Sequence, residues 1–183
     1  TLSWGAEALR TDPLGAFDAP MFHPEADTLA LSDPMLSIAP LFGLIEGLTG
    51  EPLIALNLTM FVLFVVALAA AHALGMRLFG RADVALVVAI VTCCNGYVFG
   101  QQNHPQLQTF GLVSLGFVVL LGTLDRRRDR DAVALGLVVA VLALANLLYV
   151  LIWAVGVVVV VVVLWVRGAL PPRVPGWQLE RGQ

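Results

Sequence analysis

Five carboxylates, Asp12, Asp18, Glu25, Asp27 and Asp33, fall within 22 residues near the start of the chain. Acids gathered in this way can act as a general base. They can also hold a divalent cation against a phosphate leaving group, since hard oxygen ligands suit such ions. Their spacing shows neither a tight acidic pair nor a metal-spaced triad. A solvated acidic loop, with Asp33 capping a helix, accounts for the same pattern, and the identity of any metal stays open. Within the run, Phe22-His23-Pro24-Glu25-Ala26-Asp27 adds an imidazole to two acids. That combination suits acid–base or metal chemistry, although a surface histidine beside acids is also common.

A second chemistry-bearing stretch is Gly100-Gln101-Gln102-Asn103-His104-Pro105-Gln106. Amides both donate and accept hydrogen bonds, so four amides and an imidazole in six positions could hold a hydroxyl-rich or phosphate ligand. The plainer reading is a polar turn broken by Pro105. Asn95, a little earlier, could extend this patch. Isolated polar residues stand at Asn57, His72 and Asn146 within otherwise apolar runs, and such residues usually face a bundle interior. His72 reads as a core residue, and Asn146 with Tyr149 as a turn bordering a cavity.

These side chains must be positioned by apolar elements. Hydrophobic residues form 59% of the chain and charged residues only 13%, about half the charged share of a soluble domain. Most of the surface therefore meets lipid. No basic patch carries interleaved aromatics, which argues against nucleic acid as a partner. The signs are segregated: eight of thirteen acids lie in the first 51 positions, whereas nine of ten arginines follow position 76.

Crossing a hydrocarbon core takes about 20 apolar helical residues. The sequence predicts an all-α, polytopic integral membrane bundle of about five spanning helices, at 53–79, 84–99, 107–124, 132–146 and 149–166. Residues 132–166 are divided near Asn146 because a single 35-residue helix would run to about 52 Å. The division also brings Arg77/Arg81, Arg126 to Arg130 and Arg167/Arg173 to one side, which the positive-inside rule makes cytoplasmic. Residues 1–33 are then an outward-facing acidic loop, the loops at 100–106 and 146–149 face the same way, and 168–183 is a cytoplasmic tail. Residues 34–50 form an apolar segment too short to span, read as an interfacial or re-entrant helix opened by Ser32, Asp33 and Pro34. A β-barrel is excluded, since Val157 to Val163 is an unbroken valine run without alternation. The spaced small residues Ala67/Ala71/Gly75 and Ala132/Gly136/Ala140 suit close helix packing. Cys93 and Cys94 read as buried free thiols. The outward start at Thr1 calls for an earlier crossing, so the chain is expected to be part of a longer protein and inactive by itself.

On Phe22 and Pro24, then Leu29-Ala30-Leu31-Ser32-Asp33, then Gly100, Gln101, His104, Gln106 and Leu107, the chain resembles bacterial GT-C-type membrane glycosyltransferases. Asn57 and Tyr149 also fall where that pattern has them. The Asp-Glu or Asp-x-Asp pair of better-studied members is absent. The resemblance implies transfer of a sugar from a polyprenyl-phosphate donor to an acceptor at the outer face of the bacterial cytoplasmic membrane. It makes Asp33 the first candidate for the base, with Asp27 and Glu25 behind it. The substrate-binding candidates are His23, Arg10, Gln101, Gln102, His104, Gln106, Asn57 and Tyr149. No cofactor beyond a divalent cation is implied. The rival readings are a non-catalytic membrane assembly subunit and a transporter. The transporter is disfavoured because nearly all ionisable groups stay outside the apolar core.

Overall fold

The computed structural model describes residues 1–22, 24–126 and 128–168. Every regular element among them is helical, as a chain in lipid requires when it must satisfy its own backbone hydrogen bonds. The protein is a polytopic helical membrane protein. Four stretches are long and apolar enough to cross a bilayer: Pro52–Phe79, Ala82–Gly100, Pro105–Asp125 and Leu147–Val166.

The longest helix, α3 (Pro52–Phe79), ends at Gly80, whose left-handed φ of 66° lets the chain reverse into α4 (Ala82–Cys93). A short helix, α5 (Gly96–Gly100), continues that pass after a break at Cys94 and Asn95. Asn95 is used up at the break: its side-chain oxygen accepts from the Val98 amide and its amide nitrogen donates to the Val91 and Thr92 carbonyls. A 3-10 turn at Pro105–Phe110 leads into α6 (Gly111–Arg126). Helix α7 (Asp129–Ala145) returns, and α8 (Leu147–Val166) follows after Asn146.

The count of spans by length is therefore four, against five expected. Helix α7 has 17 residues with Asp129 and Asp131 in its first turn. Its apolar part covers only about 21 Å at 1.5 Å per residue, short of the core thickness. The valine run stays helical inside α8.

Close packing follows the small residues of α3. A Cβ on Gly75 would sit 2.8 Å from the Ala85 Cα, and one on Gly111 would run into the Ala67 backbone, so both neighbours of α3 approach it at backbone distance. Ala67, Ala71, Ala89 and Cys93 form the resulting core, while Cys94 is exposed. The second small-residue stripe behaves differently: Ala132, Gly136 and Ala140 are all exposed.

The acidic head is folded. Helix α1 (Leu2–Thr11) packs on α2 (Ala39–Thr49), and α2 packs on α3. Leu2, Met35, Ile38 and Phe42 share a core with Ala55 and Leu63 of α3. A second core joins Ala8, Ala16, Leu29 and Leu36, and the Trp4 indole N–H donates to the Ala16 carbonyl at 3.0 Å. One end of the bundle thus carries the head, and the other carries Arg77, Arg81 and Asp125.

Candidate functional site

Asp33 owes its position to the turn that follows it. Helix α2 begins at Ala39 with Ile38 as its unassisted cap and Pro40 in its first turn, four residues later than a helix opened at Met35. Pro34 disfavours a helical residue before it, and Met35 takes a left-handed φ of 52°. The Ile38 and Ala39 amides then both donate to the Met35 carbonyl, at 3.2 and 3.1 Å. Asp33 therefore caps no helix. Its carboxylate has no hydrogen-bond or ion-pair partner among the described residues. It is half-buried, and burial pushes its pKa above the usual carboxylate range.

Asp33 lines a cleft of about 450 Å³ at the head end, together with Ser32, Leu53, Leu56, Pro105 and Gln106. The acidic head and the amide loop, 73 positions apart in sequence by the difference of 106 and 33, thus meet in one concavity. Gln106 is held by its backbone. Its carbonyl accepts from the Asn146 side-chain amide at 3.3 Å and from the Thr109 hydroxyl at 2.7 Å. The next carbonyl, that of Leu107, accepts from the Tyr149 hydroxyl at 2.7 Å. Asn146 also caps α8, its oxygen accepting from the Leu148 and Tyr149 amides. The head is tied to the same junction, since the Ser37 amide donates to the Leu144 carbonyl at 3.3 Å.

The other nominated residues are spread out. Asn57 and Gln102 line a second cleft, of about 260 Å³, with Gln108 and several aromatic rings. Arg10 lines a third, pairs with Glu7 at 2.5 Å and is exposed. The third cleft shares Ser3 with that of Asp33. Asp27 serves the loop itself: it sits at a left-handed φ of 53°, and its amide donates to the Asp18 carboxylate at 2.9 Å. Glu25 is exposed, with its amide bonded to the Phe22 carbonyl. His104 is exposed and precedes the 3-10 turn, and Gln101 accepts through its carbonyl from Gln108. His23 lies outside the described residues. Among the described residues, no three His, Cys, Asp or Glu side chains gather as metal ligands.

Two residues matter more than their sequence context signals. Gln108 reads as the tail of the amide run, yet it is only 4% exposed and bridges the Val98 and Gln101 carbonyls. Asn146 is 1% exposed and joins three elements rather than merely bordering a cavity. Tyr149, nominated for substrate, spends its hydroxyl on the Leu107 carbonyl. The only signal for either role was a polar residue at the edge of a long apolar run.

What the fold and site define is a multi-pass helical membrane protein with a folded acidic head closing a cleft at one end of its bundle. The chain belongs to the family described as 6-pyruvoyl-tetrahydropterin synthase related domain, membrane protein, whose model matches residues 40–169. That match corrects the resemblance to GT-C-type glycosyltransferases: it covers the bundle and the amide loop, whereas half of the motifs behind the resemblance, Phe22 to Asp33, lie outside it. Comparisons with curated proteins and with solved structures give no match.

Proposed function

We propose that the head end faces outward from a bacterial cytoplasmic membrane, and that its Asp33 cleft transfers a sugar from a polyprenyl-phosphate donor to an acceptor hydroxyl. The observation that carries this reading is the unpaired, half-buried carboxylate of Asp33 beside Gln106, in a cleft that is also lined by Phe42, Leu53 and Leu56. A raised pKa makes a carboxylate a stronger base at neutral pH. In the proposed step, Asp33 takes the proton of the acceptor hydroxyl. The oxygen bonds to the anomeric carbon while the carbon–oxygen bond to the lipid phosphate breaks, and the phosphate leaves with the electron pair. Gln106 offers an amide to the sugar. Arg10, which lines the adjoining cleft that shares Ser3 with this one, supplies a cation for the departing charge. Its exposed pairing with Glu7 is weak enough to exchange.

The test is Asp33→Asn in the full-length protein, assayed for sugar transfer alongside thermal unfolding. A base contributes about 10²- to 10⁴-fold, so transfer should fall at least about 100-fold with unfolding little changed. Undiminished transfer removes Asp33 as base, and collapse of the fold makes it a structural residue. A second reading, a non-catalytic assembly subunit, draws on α8, where the apolar window is only 6% buried and could face another helix.

A further inference from the structure

The second head-end cleft combines features that together describe a ligand. Asn57 is exposed and has no hydrogen-bond partner among the described residues. It stands five residues beyond Pro52, about 8 Å along α3 at 1.5 Å per residue, so its amide projects from a spanning helix. An unpartnered amide facing hydrocarbon is costly. Across the same cleft lies the exposed Gln102, and Gln108, whose amide nitrogen is already committed to two carbonyls, has no donor to its side-chain oxygen among the described residues. The walls are aromatic: Phe61 is 63% exposed and Phe99 51%, and the Phe99 ring packs 6.3 Å from that of Phe64. An apolar, aromatic pocket with a few convergent polar groups is the usual form of a small-molecule site.

The charge balance narrows the ligand. None of the lining residues is ionisable, so nothing there would compensate a phosphate or a carboxylate. The volume of about 260 Å³ lies just below the usual range for ligand pockets, enough for one ring and too little for a whole lipid. We infer that this cleft binds the uncharged, hydroxyl-bearing head of a glycolipid. The ring rests between Phe61 and Phe99, its hydroxyls bond to Asn57 and Gln102, and its chain runs out into the bilayer. Leu56 lines the Asp33 cleft and Asn57 lines this one, so the two sites flank the same turn of α3. The inference stands without any catalytic role for Asp33.

The test uses the full-length protein in nanodiscs, with the photoreactive residue p-benzoylphenylalanine placed at Phe61, and three probes of equal chain length. Dodecyl glucoside should be captured saturably, at a half-saturating concentration at least tenfold below those of dodecyl phosphate and dodecanol. Asn57→Leu and Gln102→Leu should each weaken capture about five- to tenfold, as expected for one lost hydrogen bond, and neither introduces a polar group into lipid. Asp33→Asn should capture the glucoside like the parent, which separates failure of this site from failure of the catalytic one. Equal capture of all three probes would reduce the cleft to a greasy groove. Preference for the phosphate, or crosslinking to another segment of the protein, would equally overturn the inference.

Discussion

The two ends of the bundle use acidic residues in opposite ways. At the arginine end, Arg77 pairs with Asp125 and donates to the Leu121 carbonyl, and Arg81 pairs with Asp83 at 2.5 Å. The first pair links α3 to α6, the second stays within the start of α4, and each is exposed in at least one partner. At the head end, Asp18 is spent on the Asp27 amide and Asp12 on the Gly15 amide, while Asp33 is left free. Structure there is held by two neutral side chains, Asn146 and Tyr149, gripping consecutive carbonyls. Charge therefore contributes little to holding either end together. The ion pairs sit in a high dielectric, whereas the buried amide and phenol satisfy groups that water cannot reach.

Removing Asn146 should break this contrast most severely. Asn146→Ala loses the α8 cap, worth about 0.5–2 kcal/mol, and one hydrogen bond to the Gln106 carbonyl, which keeps the Thr109 hydroxyl, at about 0.5–1.5 kcal/mol. Denaturant unfolding should register a loss of about 1–3.5 kcal/mol in sum by those same two effects. A loss under about 1 kcal/mol would show that the junction is held elsewhere. Tyr149→Phe keeps the ring in its core and removes only the bond to Leu107, so about 1 kcal/mol is expected. Arg77→Gln comes next: Arg77 is 27% exposed and Asp125 70%, and such a pair should cost under about 1 kcal/mol and shrink further with added salt. If Arg77→Gln destabilises more than Asn146→Ala, the comparison between the ends is inverted.

Much of the bundle was readable because lipid enforces simple rules. Apolar runs bounded by Pro52, Gly80 and the arginines had to be helices, and Asn146 was an obvious place for a long apolar run to break. The start of α2 was harder. Pro34 suits a first helical turn, but the left-handed Met35 uses it in a bend instead and delays the helix to Ala39. Sequence spacing cannot register a φ value, so it also could not tell that Asp33 would be freed from capping. The site was legible only in its parts. Loop polarity on one side of the membrane put Asp33 and Gln106 on one face, whereas their sharing a cleft depends on the Ser37–Leu144 and Asn146–Gln106 bonds. Gln108 went unnoticed because an inward-turned glutamine and a solvated one look alike in an amide-rich run.

The smallest expected effect concerns Asp33 alone and decides whether the head end is as different as it looks. Burial disfavours its ionised form, so its pKa in the folded protein lies above the ordinary carboxylate value of about 3.9. Between those two values the folded state binds more protons than the unfolded one, and stability must fall as pH rises through that window. Above it, the deficit is constant. Asp33→Asn cannot ionise, so the stability of the parent relative to this variant should decline from about pH 3 upward and then level off. Most of the carboxylate remains near solvent, so the decline should be shallow, and paired denaturant titrations at several pH values would resolve it. A flat difference would mean that Asp33 is solvated like Glu25, and the contrast between a poised acid and a merely exposed one would disappear.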